Sequence, residues 1–445
     1  MRWPETRAIC PCQGRPLPLI DKYSVRRADG WNRPSATNFL LCGSTEANEY
    51  PFRSSHQEVG MPMVLDRLVK MSSFAGERTL QWVSNAVETT LFAENFDVSE
   101  QTPYEIVVQG GLMTVRYYPP LAEAEIPVGE ETMPVATQRH AVPILLVPPL
   151  AADPLNFDLL PNRSLVRFLL AKGFKVYLVD FGSPKTRHAD YGLADYAARM
   201  LPDAIAAVRA HHGARPLSLV GYCMGGLFAL VYQGWARDGD IRNIVTIASP
   251  IDSKAVGVAG GLVEAMQVPT RLIRRLTPFR IDKIDAKRLM MPGWMASNIF
   301  KLTNPVGVLQ GYLDLLMNLW DREYLLENRT VARWFNDMHA YPGGIVKDFL
   351  VRVGLDNALA KGRIELGDGQ ASDFSAITCP YLAIAGKKDQ IVTLDAARKV
   401  MDVVPAADKQ FAEAPGGHAG VFAGSRAPVT TWTITADWLA LRSAA

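Results

Sequence analysis

Leu217-Ser-Leu-Val-Gly221-Tyr-Cys223-Met-Gly-Gly226-Leu-Phe-Ala-Leu-Val-Tyr-Gln-Gly-Trp235 is the stretch on which the reading of this 445-residue chain turns. Leu217–Val220 has the length and composition of a buried parallel strand. Gly221, Gly225 and Gly226 bracket Cys223, and an apolar helix follows to about Trp235. Strand, sharp turn and buried helix make a nucleophile elbow, here with cysteine where serine is usual. The nucleophile of such a turn sits in strained backbone geometry, and side chains at 221 and 225 would collide with adjoining backbone. The turn sets Cys223 at a helix N-terminus, where unpaired N–H groups and the helix dipole favour a thiolate.

Two plainer readings compete. No charge occurs from Pro216 to Ala236, which is long enough for a membrane helix. Three clustered glycines and the missing lipid-facing caps count against it. An inert buried thiol is the commoner fate of a lone cysteine. The complete elbow around Cys223 favours the nucleophile.

Composition narrows the class. The net charge of +2 points to neither nucleic acid nor an anionic membrane as partner. The five cysteines, at 10, 12, 42, 223 and 379, are sparse and lack metal-ligand spacing apart from the weak Cys10-x-Cys12. They fit a reducing cytoplasm better than a disulfide framework. No secretory signal and no transmembrane segment is read, and no metal or cofactor is expected.

Outward from the elbow, short apolar runs alternate with helical patterns. The runs are Pro143–Val147, Lys175–Phe181, Leu217–Val220, Asn243–Ala248, Tyr381–Ala385 and Lys409–Ala412. Helical patterns cover Ser164–Lys172, Leu193–His211, Met224–Trp235, Leu394–Val403 and Pro428–Leu441. Such alternation predicts a doubly wound, mostly parallel sheet of the α/β class, and with the elbow an α/β-hydrolase fold. Over a hundred residues between Ala248 and Tyr381 interrupt it. They are rich in methionine and tryptophan and predict a mainly helical cap inserted after the sixth strand. The expected organisation is residues 104–251 and 378–445 for the core and 252–377 for the cap. Tyr104–Val108 and Leu112–Tyr118, around Gly110-Gly111, predict a hairpin. A polar loop with Pro127, Pro134 and His140 follows. Residues 61–103 predict two amphipathic helices, with Leu65, Leu68, Val69, Leu80, Val83, Val87 and Leu91 at helical spacing. Proline-rich residues 1–60 read as a disordered tail, or as an extension upstream of a start at Met61 or Met63.

In this fold an acid and then a histidine follow the nucleophile, each at the carboxyl end of a strand. Asp389, in Gly386-Lys-Lys-Asp389-Gln, lies just beyond the run 381–385. His418, in Pro415-Gly-Gly-His418-Ala-Gly, lies just beyond the run 409–412. The other six histidines fall in the tail, in loops, on helix faces or in the insertion. Asp389 has an alternative role as an N-terminal acid for the helix before Leu394. The expected chemistry has His418 accept the thiol proton while Cys223 attacks an acyl carbonyl. Asp389 orients the imidazole, or itself assists deprotonation of an acyl acceptor. Oxyanion donors are expected from the N–H of Met224 and from the loop around Leu150 or Ala151, since Pro148 and Pro149 have no N–H.

These stretches resemble the catalytic subunit of class III polyhydroxyalkanoate synthases. The matching residues are Val147-Pro-Pro149, Asn162-Arg-Ser-Leu-Val-Arg167, Val176-Tyr-Leu-Val-Asp-Phe-Gly-Ser-Pro184, the elbow, Asn243-Ile-Val-Thr246 through Pro250-Ile-Asp252, Gly386–Asp389 and Pro415–Gly420. Trp334 through Pro342-Gly343 and Asn357–Gly362 in the insertion resemble the family as well. Phe181 stands where that family usually has tryptophan, and Leu227 where many members have threonine or alanine. The resemblance implies Cys223, Asp389 and His418 as a triad and 3-hydroxyacyl-CoA as substrate. It also implies a polymer granule surface, and a homodimer or a second synthase subunit, as partners. Gly221-Tyr-Cys-Met-Gly-Gly226 also resembles dienelactone hydrolases. There, without an insertion, nucleophile and acid would lie far closer than the 166 positions between Cys223 and Asp389. A non-catalytic granule- or lipid-associated protein is the third alternative.

Overall fold

The computed structural model describes residues 79–89, 91, 96–150, 154–257, 284–303 and 305–443. All of them belong to one compact unit, Leu65–Ala445. The expectations for residues 1–60, for the helix carrying Leu65, Leu68 and Val69, and for Ala151 lie outside the described residues.

Eight strands form the central sheet: β1 (Glu105–Gly110), β2 (Met113–Tyr118), β3 (Ile144–Val147), β4 (Val176–Asp180), β5 (Leu217–Tyr222), β6 (Ile241–Ile247), β7 (Tyr381–Gly386) and β8 (Lys409–Ala414). Their spatial order is β1-β2-β4-β3-β5-β6-β7-β8. The pairs β1–β2 and β2–β4 are antiparallel, and every other pair is parallel. The chain therefore builds the expected α/β-hydrolase sheet, with the elbow strand β5 between β3 and β6. All six residues of β5 are buried, as a strand covered on both faces requires.

The pleat sorts side chains between two cores. Leu145, Val147, Leu217 and Leu219 enter one apolar cluster. Ile144, Leu146, Val220 and Tyr222 enter the other. Helix α1 (Leu165–Ala171), with Ser164 capping its first turn, covers the second face. Helices α2 (Leu201–His212) and α3 (Met224–Ala236) cover the first. The predicted helix 193–211 includes a wider π turn, Asp195–Met200, before α2. The predicted helix 394–403 is two short helices, Leu394–Arg398 and Val400–Val403.

Between β6 and β7 the described residues include three longer helices: α4 (Gly293–Leu302), α5 (Pro305–Met317) and α6 (Arg322–Asn336). Asp321 starts α6 by accepting from the N–H groups of Glu323 and Tyr324. A hairpin, Arg363–Gly367 with Gln370–Asp373, ends this span. Ile364, Leu366 and Phe374 share the core cluster that contains Val231 of α3. A side chain at Gly234 would meet Ser372 Oγ at 2.4 Å.

Two local expectations differ from the structure. The polar loop after β2 contains a small hairpin, Glu125–Val128 with Glu131–Pro134, folded at Gly129 and pinned by buried Ile126. The helix through residues 79–89 presents Leu80, Val83 and Val87 to solvent, and its buried residues include Asn85 and Thr89. The cause is polar: Asn85 donates to the Leu319 carbonyl at 2.9 Å, and Glu88 pairs with Arg322.

Candidate active site

Cys223 stands between β5 and α3 with φ 51° and ψ −116°, a conformation rare for a residue with a Cβ. Neighbouring chain holds it there. Its N–H donates to the Ile247 carbonyl at 2.8 Å, and its carbonyl accepts from Ser249 Oγ at 2.7 Å and Gly226 N–H at 3.2 Å. The space around the turn explains the glycines. A Cβ at Gly225 would sit 2.0 Å from the Val147 carbonyl oxygen and 2.8 Å from that of Pro148. The end of β3 is thus packed directly against the elbow. Met224 begins α3, so its N–H has no acceptor within the helix. Leu150 follows β3 and is buried.

Asp389 and His418 come from two loops that are bonded to each other. Lys387 N–H donates to Ala414, and Lys388 N–H to Gly416, at 2.9 and 3.0 Å. Gly416 makes the return possible with φ 115°, where a side chain would also strike Gly420. Asp389 Oδ2 lies 2.8 Å from His418 Nδ1. Its Oδ1 accepts from Ile391 and Val392 N–H, each at 2.8 Å. Asp389 therefore both orders the approach to the next helix and holds the imidazole. The Asp389 side chain is fully buried and that of His418 is 6% exposed.

Cys223 and His418 line one cavity of about 420 Å³, floored by the elbow and roofed by the cap. Its roof includes Met291 and Trp334, two of the methionines and tryptophans that mark the insertion in sequence, and Phe300, Phe335 and Met338, which sequence reasoning did not single out. The His418 imidazole is raised to about 10. Burial opposes its charge, but the neighbouring Cys223 sulfur and the bonded Asp389 carboxylate outweigh that. A proton taken from Cys223 is therefore well accommodated on the ring.

Two supporting residues were also missed. Tyr222 donates to the His418 carbonyl at 3.2 Å and stacks on Phe422 at 4.1 Å. Its hydroxyl is pushed well above the ordinary tyrosine range by burial first, then by Cys223 and Asp389. Ser249 props the elbow carbonyl. Its position two residues beyond the end of β6, beside the elbow strand, was the available signal.

Among the described residues no group of histidine, cysteine or carboxylate side chains could hold a metal, and no helix is long and apolar enough to cross a membrane.

Residues 162–419 match the family described as "Serine aminopeptidase, S33". The "Poly(3-hydroxyalkanoate) polymerase subunit PhaC" of Haloferax mediterranei is 27% identical over 77% of this chain and 65% of its own length. The protein of the same name from Allochromatium vinosum is 26% identical over 80% of this chain and 93% of its own. Among solved structures, a soluble variant of monoglyceride lipase from Saccharomyces cerevisiae is 14% identical, with a TM-score of 0.45 over 78% of this chain and 97% of that one. The match spans more than half of the chain and carries cysteine at the elbow, so the chain belongs to this α/β-hydrolase family, and its curated relatives include proteins named poly(3-hydroxyalkanoate) polymerase subunit.

Proposed function

We propose that this protein is an acyltransferase that polymerises 3-hydroxyacyl-CoA into polyhydroxyalkanoate through a thioester on Cys223. The observation that carries the reading is that Cys223, at the elbow, shares the floor of a largely apolar cavity with His418, which is bonded to buried Asp389. The polymerase names of the curated relatives support the same substrate class.

In this reaction His418 takes the Cys223 proton and the thiolate attacks the CoA thioester carbonyl. Met224 N–H and Leu150 N–H are the proposed donors to the oxyanion. CoA leaves as its thiol with the proton from His418, and the acyl group stays on Cys223. The hydroxyl of a second 3-hydroxyacyl unit, or of a chain end, then gives its proton to His418 and attacks. An ester bond forms, the Cys223–acyl bond breaks, and the thiol returns. Asp389 keeps Nδ1 protonated so that Nε2 faces the reacting atoms. Cysteine suits this sequence because exchanging one thioester for another is nearly energy-neutral. The acyl group stays activated until the hydroxyl arrives. The proposed setting is a polymer granule surface, with a homodimer or a second synthase subunit.

Hydrolysis is the competing outcome, favoured by the hydrolase-type family description. Incubation with 3-hydroxybutyryl-CoA, following CoA release and product size together, separates the two. Polymer with CoA release is expected. Free 3-hydroxybutyrate with CoA release would make the protein a thioesterase. Mass spectrometry should find the acyl adduct on Cys223 and none after Cys223→Ala. An adduct that persists in that variant would remove Cys223 from the mechanism.

A further inference from the structure

A second cavity, of about 730 Å³, opens on the other side of His418. It shares Phe300, Thr303, Phe335, Ile391 and His418 with the cavity above Cys223, so the two meet at the imidazole. Their walls differ in kind. The described residues that line the cavity above Cys223 include no lysine, arginine or carboxylate side chain. The second carries Lys301 from α4, Arg329 from α6 and Lys388 from the loop after β7, and no carboxylate among its described lining residues. Asn328, Asn336 and Gln390 add neutral polar groups.

These cations are not used up by the fold. Arg329 Nε is buried and has no hydrogen-bond partner among the described residues. A buried guanidinium nitrogen left unbonded is costly, so it is a good place for a ligand acceptor. Among the described residues, Lys301 Nζ bonds the neutral amide oxygen of Asn336, at 2.5 Å. Lys388 is exposed, and its neighbour Asp389 is already committed to His418 and to two backbone N–H groups. Three positive charges without a balancing carboxylate suit a polyanion, and the planar guanidinium suits phosphate in particular.

We propose that this cavity recognises the phosphate groups of a phosphorylated pantetheine thiol, binding them through Arg329, Lys301 and Lys388 while the thioester end lies at His418 and Cys223. The assignment rests on the acyl-thioester reading of the site and adds the residues that hold the leaving group. Two carriers share that chemistry, free CoA and the phosphopantetheine arm of a carrier protein. The size of the cavity and its three cations favour CoA, which carries further phosphates.

The test is equilibrium binding to full-length Cys223→Ala protein, which binds without turnover. Calorimetric titrations would use CoA, dephospho-CoA, 4′-phosphopantetheine and pantetheine. The phosphate-bearing thiols should bind at least tenfold more tightly than pantetheine, as expected for a charge-assisted bond. CoA binding tighter than 4′-phosphopantetheine supports free CoA as the carrier. Arg329→Gln and, separately, Lys388→Gln should each weaken CoA binding roughly tenfold while leaving pantetheine binding in place. Lys388 is exposed, so its variant is not expected to disturb folding. Pantetheine binding as tightly as CoA, or CoA affinity within twofold of the parent in both variants, would overturn the assignment. Failure of the acyltransferase reading looks different: CoA binds as described, but wild-type Cys223 acquires no acyl group.

Discussion

Asp389→Asn is the sharpest single test of the site. The substitution keeps the shape and one carbonyl oxygen, so the bonds from Ile391 and Val392 N–H at 2.8 Å can persist. What is lost is the 2.8 Å bond between a fully buried carboxylate and His418 Nδ1. A hydrogen bond to a charged partner contributes about 1.5–3 kcal/mol. That corresponds to roughly ten- to 150-fold in the population of the thiolate–imidazolium pair. The amide N–H₂ facing Nδ1 adds a second effect, because it favours the tautomer with the proton on Nε2, which cannot accept from Cys223. Iodoacetamide alkylation of Cys223, followed by mass spectrometry from pH 5.5 to 9.5, reads the pair without assuming a substrate. The deficit in Asp389→Asn should be largest near pH 6, where wild-type His418 holds its proton, and should shrink toward the alkaline end as that imidazolium approaches its titration near pH 10. Alkylation within twofold of wild type near pH 6 would refute the argument that Asp389 governs the charge of His418.

Three further outcomes follow from named contacts. Gly225→Ala places a methyl 2.0 Å from the Val147 carbonyl oxygen, so strand end or elbow must move; thermal and urea denaturation should show a loss of about 1–3 kcal/mol, with activity lost in the folded fraction. Folded His418 binds its proton more tightly than an unfolded histidine, so it contributes stability that is complete below about pH 6.5 and fades as pH rises toward about 10; urea midpoints should follow that slope, and the slope should flatten in His418→Gln. Tyr222→Phe removes the 3.2 Å bond to the His418 carbonyl and should cost about 1 kcal/mol of stability, with alkylation of Cys223 reduced less than in Asp389→Asn.

Much of the architecture was legible because its signals are local. A buried strand, a glycine-bracketed turn and an apolar helix lie within nineteen consecutive residues at the elbow, and each constrains the next. Alternation of short apolar runs with helical patterns dictates the parallel sheet, since parallel neighbours need crossovers. The chain order of cysteine, acid and histidine follows from the same template, and folding brings Asp389 to 2.8 Å from His418. Other features depended on partners distant in sequence. The hairpin at 363–373 reads as part of the insertion until its apolar face is seen against α3. The helix at 79–89 has an apolar stripe that predicts the wrong inward face, because Asn85 and Glu88 are tied to residues 234 positions away. Tyr222 holds the His418 backbone across a separation of 196 residues. Lys301, Arg329 and Lys388 are ordinary surface cations in sequence. They become a cluster beside the imidazole only when the cap helices and the loop after β7 close around one cavity. Local pattern determined the elements and the residue types of the candidate site; long-range packing alone decided which faces meet, because a side chain's partner across the fold leaves no periodic trace in the chain.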